Sequence, residues 1–176
     1  YVIGTRRGIS NRKPIIGQYD INREGSGDMY SKGANLLHTI RQLAKDDEIW
    51  RQTLRGLNKE FYHSTVTTAE IEEYISESIG IDLSKVFDQY LRDYRVPVFE
   101  YEITNGVLMY RWNNVIDGFD MPLEVIIDGK NTKLYPSLEF KQVPIKNLYI
   151  NVDDDYYIRV QYAIRDLTTD FAETTT

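Results

Sequence analysis

DLSKVFDQYLRDYRVPVFEYEITNGVLMYRW, residues 82–112, contains the point at which one kind of structure gives way to another. Before Pro97, Val86, Phe87, Tyr90 and Leu91 recur at intervals of three and four, the spacing that lays one apolar stripe along a helix. Pro97 lacks an amide hydrogen and confines Val96 to extended angles, so the helix must stop before it. Beyond Pro97 the residues alternate and are rich in β-branched and aromatic types. Val98 to Ile103 runs into Asn105-Gly106 and returns as Val107 to Trp112, a strong short-range signal for a hairpin.

Working back from Asp82, Gly80 sits where a left-handed cap would end an earlier helix. The start of that helix is marked by Thr67-Thr68-Ala69-Glu70, which fits a capping box with Val66 and Ile71 as its hydrophobic staple. A further helix is expected after Asp46 or Asp47, with Ile49, Trp50, Leu54 and Leu57 facing inward, although Gly56 weakens its interior. The first helix carries Met29, Gly33, Leu36, Leu37, Ile40, Leu43 and Ala44 as its stripe, and Asp28 is placed to cap it. The opening stretch, Tyr1 to Ser26, is rich in Arg, Gly and Asn and has no period, with a short extended piece at Ile15-Ile16. It reads as a surface connector, with the expectation that the natural protein continues upstream.

Working forward from Trp112, Leu123 to Ile127 meets Asp128-Gly129 and returns through Thr132 to Tyr135, a second hairpin. Leu148 to Val152, the turn Asp153-Asp154-Asp155, and Tyr156 to Ile164 suggest a third. Six or seven short strands of this kind point to a small antiparallel sandwich. The fold class is therefore α+β, with an N-terminal helical bundle followed by a small antiparallel β-sandwich. The tail, Leu167 to Thr176, is polar and is expected to fray.

The composition is that of an ordinary globular chain, with 41% hydrophobic and 27% charged residues. A net charge of -6 offers no basic footprint for nucleic acid. No apolar run approaches the roughly 20 residues of a membrane helix, and no signal-peptide pattern is visible. With no cysteine, disulfides and thiolate metal sites are excluded.

Asp28-Met29-Tyr30-Ser31-Lys32-Gly33-Ala34, continuing through Leu37 to Arg41, resembles the Tyr-x-Lys-Gly-Ala helix of the aminopeptidase N family of zinc aminopeptidases, the gluzincin type. The likeness extends through Thr67-Thr68, the segment from Gly80 to Leu91, and Pro97 with the strand after it, about residues 14–102. It implies that residues 1–96 are the incomplete, helical part of an aminopeptidase catalytic domain. Residues 97–166 would be the following β-sandwich domain and 167–176 a polar tail. It further implies a parent protein that uses zinc to hydrolyse the first peptide bond of a peptide substrate. In that family the H-E-x-x-H helix and a downstream glutamate hold the metal, upstream of this helix. Tyr30 takes the place of the residue that donates a hydrogen bond to the tetrahedral intermediate, a role suited to a neutral phenol donor. Gly33 would let a neighbouring backbone approach. The pocket for the substrate's amine would come from upstream residues.

The other candidates have plainer readings. Tyr30 is one of 14 tyrosines, and spacing alone would make it a packing residue. Lys32 would orient the helix start or pair with a carboxylate, against a solvated lysine. Arg41 would bridge to a carboxylate elsewhere in the parent, against an ordinary surface arginine. His38 and His63, the only two histidines, belong to no H-E-x-x-H pair, so this chain by itself is expected to bind no zinc and to be inactive. Asp153-Asp154-Asp155 lacks the spacing of a calcium loop and reads as a turn. The competing hypothesis is a non-catalytic module, helices plus a sandwich that binds protein or glycan. An exposed helical face would allow self-association.

Overall fold

The computed structural model describes residues 1–17, 25–44 and 46–163. A short 3-10 turn, Ile3–Gly8, precedes helices α1 (Met29–Leu43), α2 (Asp47–Glu60), α3 (Thr68–Ile79) and α4 (Ser84–Phe87). The last continues into one π turn over Asp88–Arg92. Seven strands follow: β1 (Val98–Thr104), β2 (Val107–Asn113), β3 (Leu123–Ile127), β4 (Lys130–Leu134), β5 (Lys141–Pro144), β6 (Ile150–Val152) and β7 (Arg159–Tyr162). The architecture is α+β, as the change of period at Pro97 requires.

The helix boundaries follow local chemistry. Asp46 caps α2 by accepting the Ile49 amide at 2.8 Å. Thr67 and Glu70 form both halves of a capping box on α3, which ends at Gly80 with φ 72°. Gly56 does not break α2. Its missing side chain lets the Tyr74 hydroxyl of α3 lie across the helix backbone, where a Cβ would collide with it. Asp28 differs from expectation. Its own backbone is helical and its carboxylate caps nothing in α1. Asp82 accepts the Ser84 amide at 2.9 Å, and α4 begins there. Within the π turn, buried Gln89 reaches the Arg95 carbonyl and accepts the Ile116 amide, which ties the helices to the β2–β3 connection.

Both expected Xaa-Gly hairpins form. Asn105 and Gly106 have φ 52° and 75°, and Asp128 and Gly129 have φ 52° and 75°, the paired left-handed conformations of a two-residue turn. One sheet has the order β5-β2-β1-β7 and the other β4-β3-β6. The expected third hairpin is absent. β6 pairs with β3, while β7 joins the other sheet and runs parallel to β1, so that sheet is mixed rather than purely antiparallel. The reason lies in Tyr156 and Tyr157, both buried between the two strands. The Tyr157 amide donates to the Thr39 hydroxyl and its carbonyl accepts from the Tyr90 hydroxyl, so the chain is held against the helices instead of folding back.

One cluster of buried residues runs from Leu36, Ile40 and Leu43 through Phe87 and Tyr90 to Phe99, Trp112 and Phe119 in the β half. Phe99 meets Trp112 edge to face at 5.7 Å, and Trp112 meets Phe119 at 5.4 Å. The Trp112 indole donates to the Met121 carbonyl, so the large ring is buried without an orphan donor. Among the described residues no helix is long and apolar enough to cross a membrane. The polar tail 167–176 and the end of the last strand at Ile164 lie outside the described residues.

Candidate functional site

Tyr30 stands in the first turn of α1 with 79% of its surface exposed. Met29 and Leu37 are exposed on the same helix, and among the described residues nothing beyond the helix itself lies within 4 Å of where a Gly33 Cβ would sit. Tyr30, Gly33 and Leu37 thus form an open stripe. The apolar stripe read from the sequence divides in two, because Leu36, Ile40 and Leu43 are buried while Met29 and Leu37 are not.

The buried side of α1 also carries polar residues that lie outside the apolar stripe. Lys32, Asn35 and Thr39 are each 0% exposed. Together with Asp28 they recur at steps of four, three and four, one line along the helix, and this spacing is the signal that could have marked them. The Lys32 ammonium donates to the Asp93 carbonyl at 3.0 Å. The Asp93 carboxylate holds Arg95, whose guanidinium also reaches the Val115 carbonyl. Burial lowers the Lys32 pKa, opposed by the nearby charges of Asp93 and Asp28. A structural role for Lys32 is therefore what the geometry supports, and the solvated lysine is set aside.

Asn35 accepts from Arg6 at 2.7 Å and donates to the Thr5 hydroxyl and the Ser31 carbonyl. Arg6 extends to the carbonyls of Asp154 and Asp155 and lies over the Tyr157 ring at 5.4 Å. Asp28 accepts the amides of Ser10 and Asn11 and the Ser10 hydroxyl, all at 2.7–2.9 Å. Burial works to raise its pKa, but these hydrogen bonds and the Lys32 charge outweigh it and hold the carboxylate below its ordinary value. The N-terminal connector, α1 and the turn before β7 are thereby locked into one polar seam. Tyr30 projects from the opposite side of a helix that this seam anchors.

The other candidates fall elsewhere. Arg41 forms a two-pronged pair with Asp47 at 2.8 and 2.7 Å, on the surface. His38 contacts Asp155 at 3.0 Å. His63 is exposed at φ 54° with its ring against Tyr62. The Asp153–Asp155 turn is closed by its own Asp153 carboxylate accepting the Asp155 amide. Among the described residues no group of three His, Cys, Asp or Glu side chains converges as a metal site. The described residues of this chain therefore offer no ligand set for a zinc ion.

No family model matches the chain and no curated protein matches it. Among solved structures the chain is similar to Legionella pneumophila aminopeptidase A, determined in complex with aspartic acid, with a TM-score of 0.60 and 15% identity. The match covers 79% of this chain and 18% of that one. The likeness is one of fold: the chain is built like a minor part of an aminopeptidase.

Proposed function

We propose that the chain is part of a zinc aminopeptidase of the aminopeptidase N type and that Tyr30 is its transition-state donor. The observation that carries this reading is the exposure of Tyr30 on a firmly anchored helix. Its hydroxyl has no partner among the described residues and is open to a group outside the chain, while Lys32, Asn35 and Thr39 fix the helix from behind. Gly33 supports it further. A glycine inside a helix costs roughly 0.5–1 kcal/mol relative to alanine, and nothing in the described chain fills the space it leaves. A neighbouring backbone from the rest of the protein would fill it.

On this reading the peptide carbonyl oxygen gains negative charge as water attacks, and the phenol donates a hydrogen bond to it there. A preorganised donor of this kind acts where charge develops and needs no reorganisation during the reaction. Zinc, which would polarise the carbonyl and activate the water, would be held by residues beyond this chain. By itself the chain would neither hold zinc nor cleave peptides, and its Met29, Tyr30 and Leu37 stripe would be open to self-association.

The test is Tyr30→Phe in the complete protein. Loss of one such donor should lower kcat by about 10²–10³. Because the side chain is exposed and the hydroxyl bonds nothing among the described residues, thermal stability should not change. An undiminished kcat removes the assigned role and leaves the non-catalytic binding module in its place.

A further inference from the structure

A groove of about 580 Å³ runs between α3 and the segment from Gly80 to Phe87, away from the Tyr30 stripe. Its volume lies within the roughly 300–1,000 Å³ of ordinary ligand clefts. Ala69, Ile81 and Phe87 supply apolar lining, and Glu72, Glu73, Glu77 and Asp82 supply the rim. Two of these carboxylates are already engaged. Glu72 accepts from both terminal nitrogens of Arg92, and Asp82 accepts the Ser84 amide. Glu73 and Glu77 are exposed and form no ion pair among the described residues.

The placement of Glu77 is unfavourable for the isolated helix. A helix C-terminus carries partial negative charge and is stabilised by cations, yet the last turn of α3 has Glu77 and no basic residue. Glu73 lies one turn earlier, so the two like charges also face each other at a spacing of four. Uncompensated negative potential therefore stands at the lip of an apolar cleft. A simple cation would leave the apolar lining unused, and an apolar ligand would leave the carboxylates unmatched. An occupant that satisfies both is a peptide segment with an apolar residue flanked by lysine or arginine. The chain's net charge of -6 would also steer such a partner toward it.

We propose that the groove between α3 and α4 docks a basic, amphipathic segment of a partner protein. The apolar residue lies against Ile81 and Phe87, and the flanking cations meet Glu73 and Glu77. This goes beyond the peptidase reading and does not depend on it, since Tyr30 lies outside the groove.

The experiment uses the full-length protein and a short fluorescein-labelled peptide of alternating leucine and lysine, followed by anisotropy. Saturable binding is expected, weakened about tenfold by the double variant Glu73→Gln with Glu77→Gln, as for other rim and anchor charges. A peptide with serine in place of leucine should bind about tenfold more weakly, and Ala69→Trp, which fills the groove from an exposed helix position, should have a similar effect. Circular dichroism checks that each variant is folded. The proposal is overturned if the Gln variants bind unchanged, if the serine peptide binds as well as the leucine one, or if Ala69→Trp has no effect.

Discussion

Helices α1 and α3 are of similar length, 15 and 12 residues, and they are held in opposite ways. α3 is closed by residues within a few positions of its own ends, Thr67 with Glu70 at one and left-handed Gly80 at the other. α1 has no side-chain cap and is held by distant partners. Asp28 reaches back 17 and 18 residues to Asn11 and Ser10, Lys32 reaches 61 residues to Asp93, and Thr39 meets Tyr157 at a separation of 118. A locally closed helix can be read from a short window of sequence. A helix closed through its buried polar face is defined only once the rest of the chain has folded against it. The candidate catalytic tyrosine belongs to the second kind, which gives it a fixed base without using its own side chain.

Asp28→Ala should produce the largest change in stability. It removes the acceptor of three hydrogen bonds and one of the charges beside buried Lys32, and leaving such groups unmatched should cost about 3 kcal/mol. Chemical denaturation at neutral pH measures it. The pH dependence has a definite sign. Because the folded pKa of Asp28 is lowered, its contribution is complete above the unfolded value of about 3.9 and is lost as the pH falls through the folded value. The gap between the wild type and Asp28→Ala should therefore narrow as the pH is taken below about 4. A gap that stays constant would show that the carboxylate charge has no part in holding the connector.

Thr67→Ala should cost less, about 1 kcal/mol, because it removes one exposed N-cap with partners only three residues away. The lost stability should be confined to α3, with amide exchange in α1 unaffected. If this variant proved more damaging than Asp28→Ala, the contrast between locally and distantly closed helices would fail.

The same division decides what could be read from sequence. The two Xaa-Gly hairpins were legible because left-handed turn geometry is a property of the two residues themselves. Asp28 was misread as a cap because its chemistry suits one, and nothing nearby in sequence says that Ser10 and Asn11 compete for it. The third hairpin was misread for a related reason. Asp153-Asp154-Asp155 does form a turn, but Arg6 and the buried Tyr156-Tyr157 pair send the chain to the other sheet. Within the candidate site, the place of Tyr30 in the first turn of a helix was legible, but its exposure was not, because spacing alone makes it a packing residue. A structural role for Lys32 was legible too, but the parts of Asn35 and Thr39 were not, because their partners Arg6 and Tyr157 lie 29 and 118 residues away.

The smallest effect expected returns to the legible helix. Glu77→Lys puts a cation at the C-terminal turn of α3 and turns the like-charged spacing with Glu73 into a favourable pair, with the glutamate N-terminal to the lysine. Both changes act in the same direction, so the variant should gain about 0.5 kcal/mol, screened by salt. A surface residue that opposes both its helix dipole and its neighbour is more easily explained by a task outside the fold than by one within it. The variant separates the two. If stability rises while the leucine–lysine peptide no longer binds, Glu77 serves the groove at the helix's expense. If stability falls instead, Glu77 stabilises the fold through a contact in the complete protein, and α3 is less self-sufficient than its caps suggest.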